Sequence, residues 1–157
     1  MRARTARLCG GAVLGSVLIS GCAGSSTPEV TAAPSAGDAG CTALLPRLPA
    51  TLLGRGRTTA TVAGSATWGD PAIVLRCGVT PPGPSADACV EVDDTDWLFT
   101  EDQTTLRFTT YGRTPAVELA VPAGSVDRTQ ASGALAELAA AVRPLTVSRR
   151  CVGLDDT

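Results

Sequence analysis

The sequence predicts an α+β domain: a small antiparallel sheet of about four to five strands, packed by a short N-terminal helix and a C-terminal helix, with two disulfides. Three observations carry this expectation. Short apolar or alternating runs, bounded by turn residues, recur between residues 73 and 121. An Ala-rich segment at 126–142 carries one apolar helical stripe. Cys41, Cys77, Cys89 and Cys151 make an even set within a chain that reads as exported.

The export reading comes from the N-terminus. Residues 1–7, MRARTAR, hold Arg2, Arg4 and Arg7 and no acid, and residues 8–19, LCGGAVLGSVLI, are uncharged. A spanning helix needs about 20 apolar residues, so this shorter run reads as a signal peptide. Leu18-Ile19-Ser20-Gly21-Cys22 then resembles the lipobox of bacterial lipoproteins. That resemblance implies diacylglycerol on the Cys22 thiol and cleavage before it. The plainer reading is an ordinary signal with Cys22 incidental. The expected organisation is a removed signal at 1–21, lipidated Cys22 with a flexible tether through residue 40, one globular domain at 41–152, and a tail at 153–157. The tether reading rests on residues 23–40, AGSSTPEVTAAPSAGDAG, where small residues and Pro dominate.

Residues 42–53 place Leu44, Leu45, Leu48 and Leu52 at helical spacing, and Pro46 and Pro49 interrupt it, which predicts a short broken helix. Residues 54–65 are Gly-, Arg- and Thr-rich and read as a loop, with Thr58 to Val62 as a candidate edge strand. Ile73 to Val79 is an apolar run between Asp70-Pro71 and Pro81-Pro82-Gly83-Pro84. Cys89 to Asp93 alternates, and Trp97 to Thr100 continues after an Asp93-Asp94-Thr95 turn. Thr105 to Tyr111 and Pro115 to Val121 alternate as half-buried strands do. The last helix sets Leu135, Leu138, Ala139 and Val142 on one stripe and ends before Pro144.

The chain has 13 Arg and no Lys, which looks like a GC-rich coding bias of the actinobacterial kind. Loss of the signal leaves 10 Arg against 15 acids, a net charge of −5. Such a domain lacks the basic face that nucleic acid requires. Among the cysteines, Cys41–Cys77 with Cys89–Cys151 is favoured because it ties each terminal segment to the sheet; Cys77–Cys89 with Cys41–Cys151 stays open. No pair has the C-x₂₋₄-C spacing of a zinc site.

Residues 68–79 read Trp68-Gly69-Asp70-Pro71-Ala72-Ile73-Val74-Leu75-Arg76-Cys77-Gly78-Val79, followed by Glu91-Val92-Asp93-Asp94-Thr95-Asp96-Trp97-Leu98 and Tyr111-Gly112-Arg113. This pattern resembles an uncharacterised actinobacterial family of secreted or lipid-anchored envelope proteins with a WGDP-x-hydrophobic-x-LRCG core. The resemblance covers about residues 41–145. Many relatives have V-N-G-V-D-W where this chain has Val92-Asp93-Asp94-Thr95-Asp96-Trp97, a weaker hairpin signal. The resemblance implies an envelope location and brings no activity.

Absent residue types exclude much chemistry. With no His, Ser-His-Asp and Cys-His catalysis and His-ligated metals fall away; with no Lys, Ser-Lys and Schiff-base chemistry do. Carboxylates remain: Asp87, Glu91, Asp93, Asp94, Asp96, Glu101 and Asp102 lie between Arg76 and Arg107 with no base among them. They read as a solvated hairpin tip and edge, with calcium binding or a carboxylate-dependent hydrolase as sharper alternatives. Candidate binding residues are Trp68 and Asp70, as stacking face and acceptor, with Arg76 and Arg113 as surface cations. Trp97 reads as core. Arg76 is expected to face solvent or to pair with Asp96 or Glu118.

The expected function is a non-catalytic lipoprotein on the extracytoplasmic face of the membrane, serving as a protein-interaction or accessory module at the cell wall. It needs no cofactor or metal and partners the membrane through Cys22. The alternative is a ligand-binding lipoprotein for a cell-wall glycan or peptide at the Trp68–Asp70 edge.

Overall fold

A computed structural model describes residues 30–152. The expected signal peptide, the expected lipid site at Cys22 and the expected tail at 153–157 lie outside the described residues. The element order is α1 (Ala39–Leu44), a 3₁₀ turn (Leu45–Arg47), β1 (Thr51–Leu52), β2 (Arg55–Thr58), β3 (Ser65–Trp68), β4 (Ile73–Val79), β5 (Ala88–Val92), β6 (Thr95–Glu101), β7 (Thr105–Thr110), β8 (Arg113–Thr114), β9 (Ala116–Pro122), α2 (Arg128–Val142) and β10 (Thr146–Val147).

The class is α+β, and the sheet is larger than expected. Eight strands pair in the order β1-β2-β3-β4-β9-β7-β6-β5, and β8 and β10 form a separate ribbon. The pairings are antiparallel. The extra strands are β1 to β3, on the side where the sequence reads as helix end and loop. β2, Arg-Gly-Arg-Thr, is largely exposed and has no apolar alternation to announce it. β9 returns between β4 and β7, so the β5-β6-β7 meander hangs from the sheet centre.

The sheet has two unlike faces. Trp68, Leu75, Cys77, Trp97, Phe108, Val117, Leu119 and Val121 point inward, where α2 covers them with Leu135, Leu138 and Val142. On the other face Arg76 sits opposite Glu118, and its guanidinium donates to Glu118 Oε1 from Nη2 at 2.8 Å. Arg107 reaches the same carboxylate at 3.7 Å and Asp102 at 3.8 Å, giving a charged row across β4, β9 and β7. The core is aliphatic with few rings, and Phe99 stacks obliquely on Phe108, 5.1 Å between centroids.

α2 runs as a complete helix. Asp127 accepts from Gln130 N at 2.8 Å while the Gln130 side chain accepts from Asp127 N at 3.2 Å, a reciprocal cap that satisfies orphan donors. α1 is short because Pro46 cannot continue the backbone ladder. Leu52 is buried from β1, not from a helix.

The expected tether ends before residue 40. Ala33 is buried, Ser35 N donates to Gly78 O at 2.9 Å, and the Asp38 side chain caps α1 by accepting from Gly40 N at 2.7 Å. Small side chains make this possible. A Cβ on Gly78 would lie 2.3 Å from the Ser35 carbonyl, and one on Gly64 would lie 2.7 Å from Ala36 Cβ. Small residues read as a linker in sequence, yet here they let one strand of chain lie flat on another. Among the described residues, contacts with the sheet reach back as far as Thr31, whose hydroxyl accepts from Arg76 Nη1 at 3.1 Å.

Candidate functional site

Residues 68–71 turn β3 into β4 and build one end of the sheet. Trp68 is fully buried; its Nε1 donates to Pro49 O at 3.1 Å, and the Arg57 guanidinium stands 6.0 Å from its ring centroid. It offers no open stacking face. Gly69 has φ +72°, and a Cβ there would lie 2.7 Å from Arg55 Cδ, so the Arg55 stem crosses the bare glycine. Asp70 is exposed, and the Asp70-Pro71 bond is cis. Arg76 lies on the opposite face of the sheet from Trp68, paired with Glu118. Trp68, Asp70 and Arg76 therefore do not converge on one cavity.

Arg113 was expected at the surface and is buried instead. Its Nη1 donates to Arg143 O at 2.7 Å and Leu145 O at 3.1 Å; its Nη2 donates to Asp94 O at 2.7 Å and Thr95 Oγ1 at 3.1 Å. Burial lowers its pKa, Arg150 adds to this, and Asp96 and Asp94 oppose it. The covering segment can approach because Gly112 has no side chain: a Cβ would fall 2.0 Å from Arg149 O. Ser148 N donates to Gly112 O at 2.7 Å, and Val147 pairs with Arg113. Tyr111-Gly112-Arg113 is thus a clasp for the C-terminal segment.

Two disulfides close the ends, Cys41–Cys77 and Cys89–Cys151. The first bonds α1 to the central strand β4, and the second bonds edge strand β5 to the C-terminal segment. Asp96 is also close to the second pair, with one carboxylate oxygen and both sulfurs within 4.8 Å of one another. Sulfurs already bonded to each other are not thiolate ligands.

Six of the seven acids from 87 to 102 sit in turns, hydrogen bonds or ion pairs. Asp87 accepts from Ser85 Oγ at 2.6 Å. Asp93 and Asp94, at φ 47° and 61°, form the two-residue turn between β5 and β6. Asp96 is buried and accepts from Cys151 N at 2.9 Å. Glu101 pairs with Arg128. Asp102 Oδ1 accepts from Thr104 N, Thr104 Oγ1 and Thr105 N, and these bonds, the Thr104 backbone first, hold its pKa below the ordinary carboxylate value. Glu91 is exposed on β5.

A cavity of about 440 Å³ opens at the sheet end built by residues 68–71. Arg55, Pro71, Thr104, Gly124 and Ser125 line it. Arg55 donates from Nη1 to Pro71 O at 2.8 Å and from Nη2 to Ser125 O at 3.3 Å. The Ser125 Oγ is buried without a hydrogen-bond partner. Sequence reasoning missed Arg55, because nothing in Gly54-Arg55-Gly56-Arg57 distinguishes it from a loop cation; its place depends on Gly69, fourteen positions away. A second cavity, of about 680 Å³, lies beside the Cys89–Cys151 bond and is lined in part by Leu98, Tyr111 and Val152.

These features define a small disulfide-tied α+β domain with a charged outer sheet face and a polar cavity at one sheet end. The chain belongs to a protein family of unknown function, DUF3515, whose model matches residues 8–149. No curated protein and no solved structure matches it.

Proposed function

We propose that this chain is a bacterial lipoprotein, held by lipid on Cys22 at the extracytoplasmic face of the membrane, whose domain is a non-catalytic accessory or protein-interaction module of the actinobacterial envelope. The observation that carries this reading is the sequence Leu18-Ile19-Ser20-Gly21-Cys22 after a basic segment and a short apolar run. Two disulfides favour an oxidising compartment. Arginine without lysine and the WGDP-x-IVLRCG core favour the actinobacterial source. Cys22 and Thr31 are nine residues apart, and a fully extended chain covers at most about 3.5 Å per residue, so the body stays within about 30 Å of the lipid. Partners are then components of the membrane surface or the adjoining wall.

The non-catalytic part rests on residue types and on occupied acids. The chain has no His and no Lys; the carboxylates of Asp87, Asp96, Glu101 and Asp102 are engaged in hydrogen bonds or ion pairs, and Asp93 and Asp94 sit on an exposed hairpin turn. A glycan or peptide stacked at Trp68 has less support, since that ring is fully buried.

Membrane fractionation tests the anchor. Native protein is expected in the membrane fraction and in the detergent phase on phase partitioning. Cys22→Ala is expected in the soluble fraction with its disulfides intact. A Cys22→Ala protein that stays membrane-bound sinks the proposal. Crosslinking in cells with the anchor intact tests the accessory role: a reproducible envelope partner is expected, and none after repeated capture counts against it.

A further inference from the structure

The geometry points to the Arg55 cavity as a binding site for a compact oxyanion, a carboxylate or phosphate group carried by a small organic ligand. The inference is independent of the lipid anchor. Arg55 is half-buried, and its guanidinium donates only to two backbone carbonyls, Pro71 O and Ser125 O. Five N–H groups are available on an arginine, so donors remain over after those two bonds. Arg76, Arg107 and Arg128 each have a carboxylate partner, whereas among the described residues none lies within 4.0 Å of Arg55. A sheltered cation held by neutral acceptors keeps its charge uncompensated, which a bound anion would relieve.

A second observation is separate from the charge. Ser125 Oγ is buried and has no partner. Unsatisfied buried hydroxyls are uncommon because each costs about 1–3 kcal/mol. Both Arg55 and Ser125 line the same cavity, and a change of the Ser125 χ1 rotamer would bring its covered hydroxyl to a ligand oxygen held by Arg55.

The site is also built. Gly69 lets the Arg55 stem cross the β3–β4 turn, and Pro71 O fixes one end of the guanidinium. The nearby Asp102 carboxylate is already engaged elsewhere, since Thr104 and Thr105 hold Oδ1 and Oδ2 faces Arg107 at 3.8 Å. The cavity, about 440 Å³, falls in the range of small-molecule pockets. The cavity opens to solvent, which leaves room for the oxyanion to be the end of a larger ligand. The WGDP turn thereby acquires a use: it seats Arg55.

The test is a titration of the full chain in detergent, followed by NMR at Arg55 Nε–H and the Ser125 amide. One probe is inorganic phosphate. The others are a short acetylated peptide with a free C-terminal carboxylate and the same peptide amidated. A saturable shift with phosphate, with the free-acid peptide, or with both supports the site and identifies the source chemistry; the amide should give none. Arg55→Gln should weaken binding at least about tenfold, as loss of a charge-assisted pair does. Ser125→Ala should weaken it about fivefold while the protein stays folded, because its hydroxyl bonds nothing in the free state. Arg143→Gln, an exposed cation not lining this cavity, should bind as native. The proposal is overturned if no probe saturates, or if Arg55→Gln and Ser125→Ala both bind as native.

Discussion

Asp96, buried on β6, accepts a hydrogen bond at 2.9 Å from the backbone N–H of Cys151, the half-cystine bonded to Cys89 on the neighbouring strand. One carboxylate thus holds the segment whose sulfur ties down the sheet edge. Asp96→Ala removes a charged acceptor and leaves the Cys151 N–H without its partner. Stability should fall by about 2 kcal/mol. Urea unfolding under non-reducing conditions measures it, with the Cys89–Cys151 bond verified by mass spectrometry. An unchanged midpoint would mean that the disulfide alone positions the segment.

Arg113 is the larger support of the same clasp. Its guanidinium meets three backbone carbonyls and one hydroxyl, from Arg143, Leu145, Asp94 and Thr95. Arg113→Leu strands these acceptors away from water and should cost about 3 kcal/mol or more. Arg113→Lys should recover little, because one ammonium cannot span the planar fork. Full rescue by Lys would show that charge alone is needed there.

Gly69→Ala tests the seat of Arg55. The position has φ +72°, and the new Cβ would come 2.7 Å from Arg55 Cδ. Left-handed backbone costs an alanine roughly 1–2 kcal/mol relative to glycine. The flexible Arg55 stem can move aside, so a folded but less stable protein is expected. A change below about 0.3 kcal/mol in urea unfolding would contradict the left-handed turn.

The fold class was legible because the strongest elements announce themselves locally. Ile73 to Val79 lies between two proline turns and matches β4, and Leu135, Leu138 and Val142 mark the buried side of α2. The sheet was undercounted because β1 has only two residues, β2, Arg55 to Thr58, is largely exposed, and β3 has only four. Such strands exist through their partners and carry no period of their own. Alternation and charge left Arg76 facing solvent or paired with Asp96 or Glu118; its partner is Glu118, and Asp96 instead accepts from the Cys151 N–H. Arg113 was not legible: its burial follows from the chain returning over Gly112, and hydrophilicity pointed the other way. The Arg55 cavity joins four turns distant in sequence, so no local pattern marks it.

Acid should act through Asp102. Its folded pKa lies below 3.8 because the Thr104 and Thr105 donors and Arg107 favour the carboxylate. A depressed pKa adds stability that is present above the unfolded value and is lost as pH falls through the folded one. Asp102→Asn should therefore lower stability at neutral pH, with the gap to native closing once pH drops well below 3.8. Urea midpoints of both proteins at pH 7 and in acid read this directly. A gap that does not shrink in acid would place the effect in the turn geometry and not in the charge.

The β5–β6 turn carries a removable strain. Val92 pairs with Thr95, so Asp93 and Asp94 are the two turn residues, at φ 47° and 61°. Left-handed values at both positions suit Asn-Gly better than Asp-Asp. Asp94→Gly relieves the Cβ clash at the second position and keeps the Asp94 carbonyl that Arg113 and Arg150 use. Glycine loses more backbone entropy on folding, which offsets part of the gain. Relief of the repulsion between two adjacent negative charges adds to it. The net expectation is a stabilisation of about 0.5–1 kcal/mol, seen as a higher urea midpoint at unchanged slope. If Asp94→Gly were neutral or destabilising, the Asp94 side chain would have to be making a favourable contribution at this turn that outweighs its backbone cost.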